Sequence, residues 1–137
     1  MTDKTIHILL VDDELPVRRS MAKTLLRAGF QVDTAGGATE GLTLFRQMLG
    51  GQEPFDIAVL DLNMPNLADV IAPDAGLDLL KKLLEEQPGL PVIVLTAFDE
   101  VAKTKAAIVA GARDYFVKGR EEGLVDLIHK TLAGGQS

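Results

Sequence analysis

Short apolar runs alternate along the chain with longer stretches in which apolar residues recur every three or four positions, five times over. "IHILLV", Ile6 to Val11, predicts a strand buried on both faces, the mark of a parallel sheet. Leu15 to Ala28 carries Val17, Met21, Leu25 and Leu26 on one helical face, and Gly29 suits its C-terminal stop. "FQVDTA", Phe30 to Ala35, alternates like a strand near an edge. Ala38 to Leu49 is helical, with Leu42, Phe45, Met48 and Leu49 on one side. "DIAVLD" (Asp56 to Asp61), "PVIVLT" (Pro91 to Thr96) and "DYFVK" (Asp114 to Lys118) predict the third, fourth and fifth strands. Gly76 to Glu86, Asp99 to Ala110 and Glu121 to Leu132 predict the helices that follow them. Strand and helix in repeated alternation specify a doubly wound α/β domain, a three-layer αβα sandwich.

At 137 residues the chain fits a single domain, residues 1–137, with its core from about residue 6 to 132 and a frayed tail over 133–137. A composition 47% hydrophobic and 25% charged is that of a globular protein, not a disordered one. Without cysteine there are no disulfides and no thiolate metal sites. The apolar runs are too short to cross a bilayer, and no basic start precedes an apolar segment. The expectation is a cytoplasmic protein with no membrane partner. The net charge of −6 argues against a nucleic-acid binder. Arg18, Arg19, Lys23 and Arg27 recur at helical spacing, but they read as a solvated face of the first helix.

Open parallel sheets bind ligands in the crevice beyond the carboxyl ends of their strands. The first strand ends in "VDDE", offering Asp12, Asp13 and Glu14; the third ends at Asp61, the fourth at Thr96 and the fifth at Lys118. Carboxylates gathered in one crevice repel unless a cation intervenes. An all-oxygen site open to water suits a hard cation, and Mg²⁺ takes one or two carboxylates while keeping waters and phosphate oxygens. The cluster has no histidine or cysteine, which argues against zinc. An aspartate beside Mg²⁺ and a lysine can attack phosphorus and form an aspartyl phosphate. The ammonium and a hydroxyl would then spread the charge of the transferring group.

Each residue has a simpler explanation when taken singly. Asp12 and Asp13 could favour a helix dipole, Thr96 could cap the fourth helix, Lys118 could be an exposed charge, and Asp61 could cap a turn before Pro65. Their joint appearance at four strand ends favours the site.

The segments "ILLVDDE", "VLDLNMP", "VIVLTA" and "GARDYFVK" resemble, in this order, those of two-component response-regulator receiver domains, from about Ile6 to about Leu132. That resemblance implies a flavodoxin-like sheet of five parallel strands in the order 2-1-3-4-5 with five helices, placing Asp13 opposite Asp61. It implies that Asp61 is the phosphoacceptor and that Asp12 and Asp13 hold Mg²⁺, with the backbone carbonyl of Asn63 completing the metal shell. It implies Thr96 as the hydroxyl that turns toward the phosphoryl group, Lys118 as its cationic contact and Tyr115 as an aromatic switch. The phosphoryl source would be a sensor histidine kinase or a histidine phosphotransfer protein. The signal would leave through the fourth helix, fifth strand and fifth helix, toward a downstream protein, an output domain or a second copy. Such a protein is a signalling switch that catalyses its own phosphorylation and dephosphorylation.

Three features depart from the family pattern. Gly119 follows Lys118 where the family usually has proline, giving a freer backbone. "NLADVIAPDA" (Asn66 to Ala75) lengthens the loop after Pro65 and adds Asp69 and Asp74. Phe98 brings bulk to the site's mouth, where it is expected to limit water access. No output domain follows the fifth helix, so the chain reads as a single-domain receiver or as part of a longer regulator. His129 reads as favoured by the end of that helix rather than as a phosphotransfer residue.

Other functions fit less well. An aspartate-nucleophile phosphatase uses the same residue types but carries "DxDxT" after the first strand. A flavin module needs a phosphate-cradling Gly/Ser/Thr run, and "DDELP" is acidic. A degenerate receiver used only for protein contact would not need the full set of acids, hydroxyl and lysine.

Overall fold

The computed structural model describes residues 5–62, 64–65, 71–72, 75–97, 100–119 and 121–134. Five parallel strands form the central sheet: β1 (His7–Val11), β2 (Gln31–Ala35), β3 (Ile57–Asp61), β4 (Val92–Thr96) and β5 (Asp114–Val117). Their order is β2-β1-β3-β4-β5, as expected. The helices are α1 (Leu15–Arg27), α2 (Ala38–Gly50), α3 (Ala75–Glu86), α4 (Val101–Ala110) and α5 (Glu122–Gly134). Helix α5 runs through Ala133 and Gly134, so these two residues belong to the helix rather than to a frayed tail. A two-residue antiparallel ladder, Met64–Pro65 with Ile71–Ala72, lies within the lengthened loop after β3.

Alternating strand residues feed two cores, one on each face of the sheet. Leu9, Val11, Ala58, Leu60, Val92 and Val94 pack with Leu42 and Phe45 of α2 and with Leu79, Leu80 and Leu83 of α3. Ile8, Leu10, Ile57, Val59, Ile93 and Leu95 pack with Met21 and Leu25 of α1 and with Leu124 and Ile128 of α5. This is why β1, β3 and β4 read as unbroken apolar runs: they are buried on both faces. The edge strands β2 and β5 keep exposed positions. Leu26, counted on the apolar face of α1, is exposed at the end of that helix.

The amino end of the sheet is tied by His7, which is buried at the start of β1. Its ring nitrogen Nε2 lies 2.6 Å from Asp33 Oδ2 on β2, and its backbone N–H donates to Asp56 Oδ2 at 2.8 Å. The ring packs on Phe55 at 4.4 Å. At the opposite end the register decides function. Val11 pairs with Leu60, Asp61 with Leu95 and Thr96 with Val117. Asp12 and Asp61 therefore leave neighbouring strands at one level, with Thr96 one strand further on.

Helix α3 packs on that exit through Gly76. A Cβ added there would lie 2.4 Å from the carbonyl oxygen of Asp61 and 2.6 Å from Leu62 Cα, closer than any side chain can sit against a backbone. The glycine lets the helix start directly against the residue that ends β3. Gly76→Ala is expected to lower unfolding free energy by about 1–3 kcal/mol through this overpacking, measured by denaturant titration. Gly50→Ala, facing open space at the end of α2, is expected to leave the midpoint unchanged or raised.

Candidate phosphoacceptor and metal site

Four strand ends bring their polar residues together beyond the carboxyl edge of the sheet. Asp12 is fully buried, Asp61 is 2% exposed and Thr96 2% exposed, whereas Asp13 faces solvent. Backbone bonds fix these exits: Asp12 N–H donates to Ala35 O at 3.1 Å, Leu62 N–H to Leu95 O at 3.1 Å and Lys118 N–H to Thr96 O at 3.0 Å. The Lys118 side chain then reaches back across the sheet. Its Nζ lies 2.5 Å from Glu14 Oε1, 3.1 Å from Asp12 Oδ2 and 3.2 Å from Asp61 Oδ2.

Burial by itself would lower the pKa of the Lys118 ammonium. The hydrogen bond to Glu14 and the charges of Asp61 and Asp12 outweigh it and hold the pKa above the ordinary lysine value. The lysine is therefore charged at physiological pH and serves as the counter-ion of the cluster. Among the described residues that ammonium pairs with three carboxylates, and a fourth, on Asp13, lies beside Asp12 and Asp61.

The acids have the arrangement of a metal site. One carboxylate oxygen each from Asp12, Asp13 and Asp61 can lie within 4.8 Å of the others. Asp12 Oδ1 accepts the Glu14 backbone N–H at 2.9 Å. Asp12 Oδ2 is buried and accepts no hydrogen bond among the described residues; its contact with Lys118 is an ion pair without hydrogen-bond alignment. A buried carboxylate oxygen with such unused capacity, in an all-oxygen set open through Asp13, fits a hard divalent cation. The cluster could hold such an ion through Asp12, Asp13 and Asp61.

The single-residue explanations fare differently. Glu14, not Asp12 or Asp13, stands at the N-cap of α1 and makes no side-chain capping bond. Glu100 occupies the N-cap of α4, so Thr96 is a buried strand end and not a cap. Tyr115 is 48% exposed and lines a groove of about 550 Å³ between α4 and β5, together with Thr96, Val101, Ile108, Val109 and Val117. Asn63, Asp69, Asp74 and Phe98 lie outside the described residues.

Pattern reading of the sequence passed over two contributors. Arg18, taken as part of a solvated face, is half-buried and donates from Nη1 to the backbone carbonyl of Asp12 at 2.7 Å. Arg19, Lys23 and Arg27 are exposed as expected. The sequence offers Glu14 in "VDDE" without a partner, and the structure sets its carboxylate on Lys118. The departure at Gly119 also gains a reason. Its φ of +113° is a backbone conformation closed to proline, so this turn needs glycine.

The sequence profile of the response regulator receiver domain matches residues 8–129. The chain belongs to the response regulator receiver domain family. The receiver is 40% identical over 114 residues to the probable transcriptional regulatory protein TcrX of Mycobacterium tuberculosis, covering 82% of this chain and 43% of that protein. It is 32% identical over 130 residues to the photosynthetic apparatus regulatory protein RegA of Cereibacter sphaeroides, covering 95% of this chain and 63% of that one. The receiver thus spans between two-fifths and two-thirds of the length of these curated relatives. Among solved structures, a CheY-like receiver domain from Methanospirillum hungatei superposes with a TM-score of 0.81 at 27% identity, covering 97% of this chain and 98% of that one. Receiver domains are signalling switches of two-component systems, and this assigns the chain's broad role. No helix among the described residues of the receiver is long and apolar enough to cross a membrane.

Removing the counter-ion tests the electrostatic reading of the site. Lys118→Met leaves Asp12 and Asp61 buried without their cation and is expected to cost on the order of 3 kcal/mol. Chemical denaturation of metal-free protein at neutral pH measures it, and added divalent cation is expected to recover part of the loss.

Proposed function

We propose that this receiver accepts a phosphoryl group on Asp61 from the phosphohistidine of a sensor kinase or a histidine phosphotransfer protein. The observation that carries the reading is the Asp61 carboxylate itself: buried, 3.2 Å from a lysine ammonium, and within metal-bridging distance of two further acids. A structural aspartate has no use for that surplus of neighbouring negative charge.

Asp12, Asp13 and Asp61, with the backbone carbonyl of Asn63, would hold Mg²⁺. Bound there, Mg²⁺ supplies positive charge against the equatorial phosphoryl oxygens. A carboxylate oxygen of Asp61 forms the new bond to phosphorus as the P–N bond of the donor breaks. The electron pair of that bond stays on the departing imidazole nitrogen. Lys118 offers its ammonium to the oxygens of the transferred group, and Thr96 turns its hydroxyl toward them.

The phosphoryl oxygens carry roughly −2 while the Asp61 carboxylate gives up its own −1, and it is this charge, relocated toward Thr96, that Thr96 reads. Its inward turn vacates space in the groove it shares with Tyr115, and the exposed tyrosine follows it. Val101, Ile108, Val109 and Val117 already present an apolar face around that groove, so a change there alters what α4, β5 and α5 offer to a downstream protein, an output domain or a second copy. A cytoplasmic protein that makes no direct nucleic-acid contact through this chain completes the reading.

Intact mass spectrometry after incubation with Mg²⁺ and phosphoramidate tests it. One added phosphoryl group is expected, lost on Asp61→Asn and lost with EDTA. No adduct at any Mg²⁺ concentration would favour a receiver used only for protein contact. Rapid turnover of simple phosphate esters would favour a phosphatase.

A further inference from the structure

We infer that Glu14 is a positioning residue that reserves Lys118 in the unphosphorylated protein and slows arrival of the phosphoryl group. The inference rests on Asp61 being the phosphoacceptor. Among the described residues three carboxylates surround the Lys118 ammonium, and the closest is not one of the two buried aspartates but Glu14, at 2.5 Å. The three contacts differ in kind. Asp12 and Asp61 end strands β1 and β3 and are enclosed, so neither can leave the lysine without a change in the sheet. The Glu14 side chain is 58% exposed, and the Lys118 side chain only 18%. Glu14 therefore covers the ammonium from the solvent side, the side from which a donor must approach.

Position and anchoring point the same way. Glu14 is the N-cap of α1, yet its carboxylate makes no bond to that helix and turns to a lysine 104 residues away in the chain. An ammonium has three donors; among the described residues this one gives a hydrogen bond to Glu14 and one to Asp61, and pairs with Asp12 without hydrogen-bond alignment. The donor turned toward solvent is the one Glu14 holds, so a phosphoryl oxygen arriving from that side displaces Glu14, the carboxylate free to rotate into water. Until it does, its negative charge also opposes an anionic donor at the mouth of the site. In transfer from phosphoramidate the Asp61 oxygen bonds to phosphorus, the P–N bond breaks, and ammonia leaves with the hydrogens its nitrogen already carries. Glu14 exchanges no proton and touches no reacting atom. It acts through Lys118.

The test compares native protein with Glu14→Gln and Glu14→Ala, phosphorylated by phosphoramidate at saturating Mg²⁺ and followed by intact mass. Both variants are expected to react about two- to fivefold faster, the scale of an exposed ion pair. Raising the ionic strength is expected to narrow that gap, since screening weakens the Glu14 charge in the native protein as well. A purely structural role for Glu14 would leave no such salt dependence. In metal-free protein the Lys118 ammonium signal in nitrogen-resolved NMR is expected to broaden in Glu14→Gln as exchange with water quickens. Equal or slower phosphorylation of both variants overturns the inference and leaves Asp61 as the acceptor. Absence of an adduct on the native protein overturns the phosphoacceptor reading instead.

Discussion

The ammonium of Lys118 among the carboxylates of Asp12, Asp61 and Glu14 is the interaction on which the rest of this molecule depends. At an effective dielectric of about 20, opposite unit charges some 3 Å apart attract by roughly 5 kcal/mol, which rivals the several kcal/mol that burying each ion costs. At the 4.8 Å limit within which the Asp12, Asp13 and Asp61 oxygens lie, the same arithmetic gives roughly 3–4 kcal/mol of repulsion between two ionised acids. One cation offsets the burial of two aspartates but leaves Asp13 and Glu14 in excess. That excess explains why the site suits a divalent cation.

The scaffold exists to keep that imbalance from relaxing. Two apolar cores clamp β1, β3 and β4 from both faces, so the strand ends cannot spread to separate the acids. Gly76 brings α3 onto the backbone of Asp61 and Leu62, and Arg18 grips the carbonyl of Asp12. Gly119 turns the chain immediately after Lys118 with a backbone angle that few other residues tolerate. Charge is thus concentrated at one edge, while the His7–Asp33–Asp56 network ties the other.

Much of this was legible in the sequence for a physical reason. Strands buried on both faces must be continuously apolar, so "IHILLV", "IAVL" and "VIVL" announced themselves. Polar residues directly after such runs must emerge at one edge, which gathers Asp12, Asp13, Asp61, Thr96 and Lys118 from the sequence pattern alone. Side-chain reach was not legible. Helical spacing put Arg18 with Arg19, Lys23 and Arg27, but spacing does not say which long side chain folds back onto a carbonyl. Glu14 looked like one more acid in "VDDE", because its partner lies at the far end of the chain. The role of Gly76 depended on an interatomic distance that no pattern encodes. The end of α5 was drawn too early, since "AGG" reads as a breaker and yet Ala133 and Gly134 stay helical.

The carboxylates at the sheet edge form an unfinished charge balance that a divalent cation would complete. Unfolding free energy measured against free Mg²⁺ concentration tests it most directly, because a ligand that binds only the folded protein stabilises it progressively with concentration. A rise that follows single-site saturation is expected in the native protein, strongly reduced in Asp13→Asn. Stability that does not change with Mg²⁺, or that rises equally in Asp13→Asn, would contradict it.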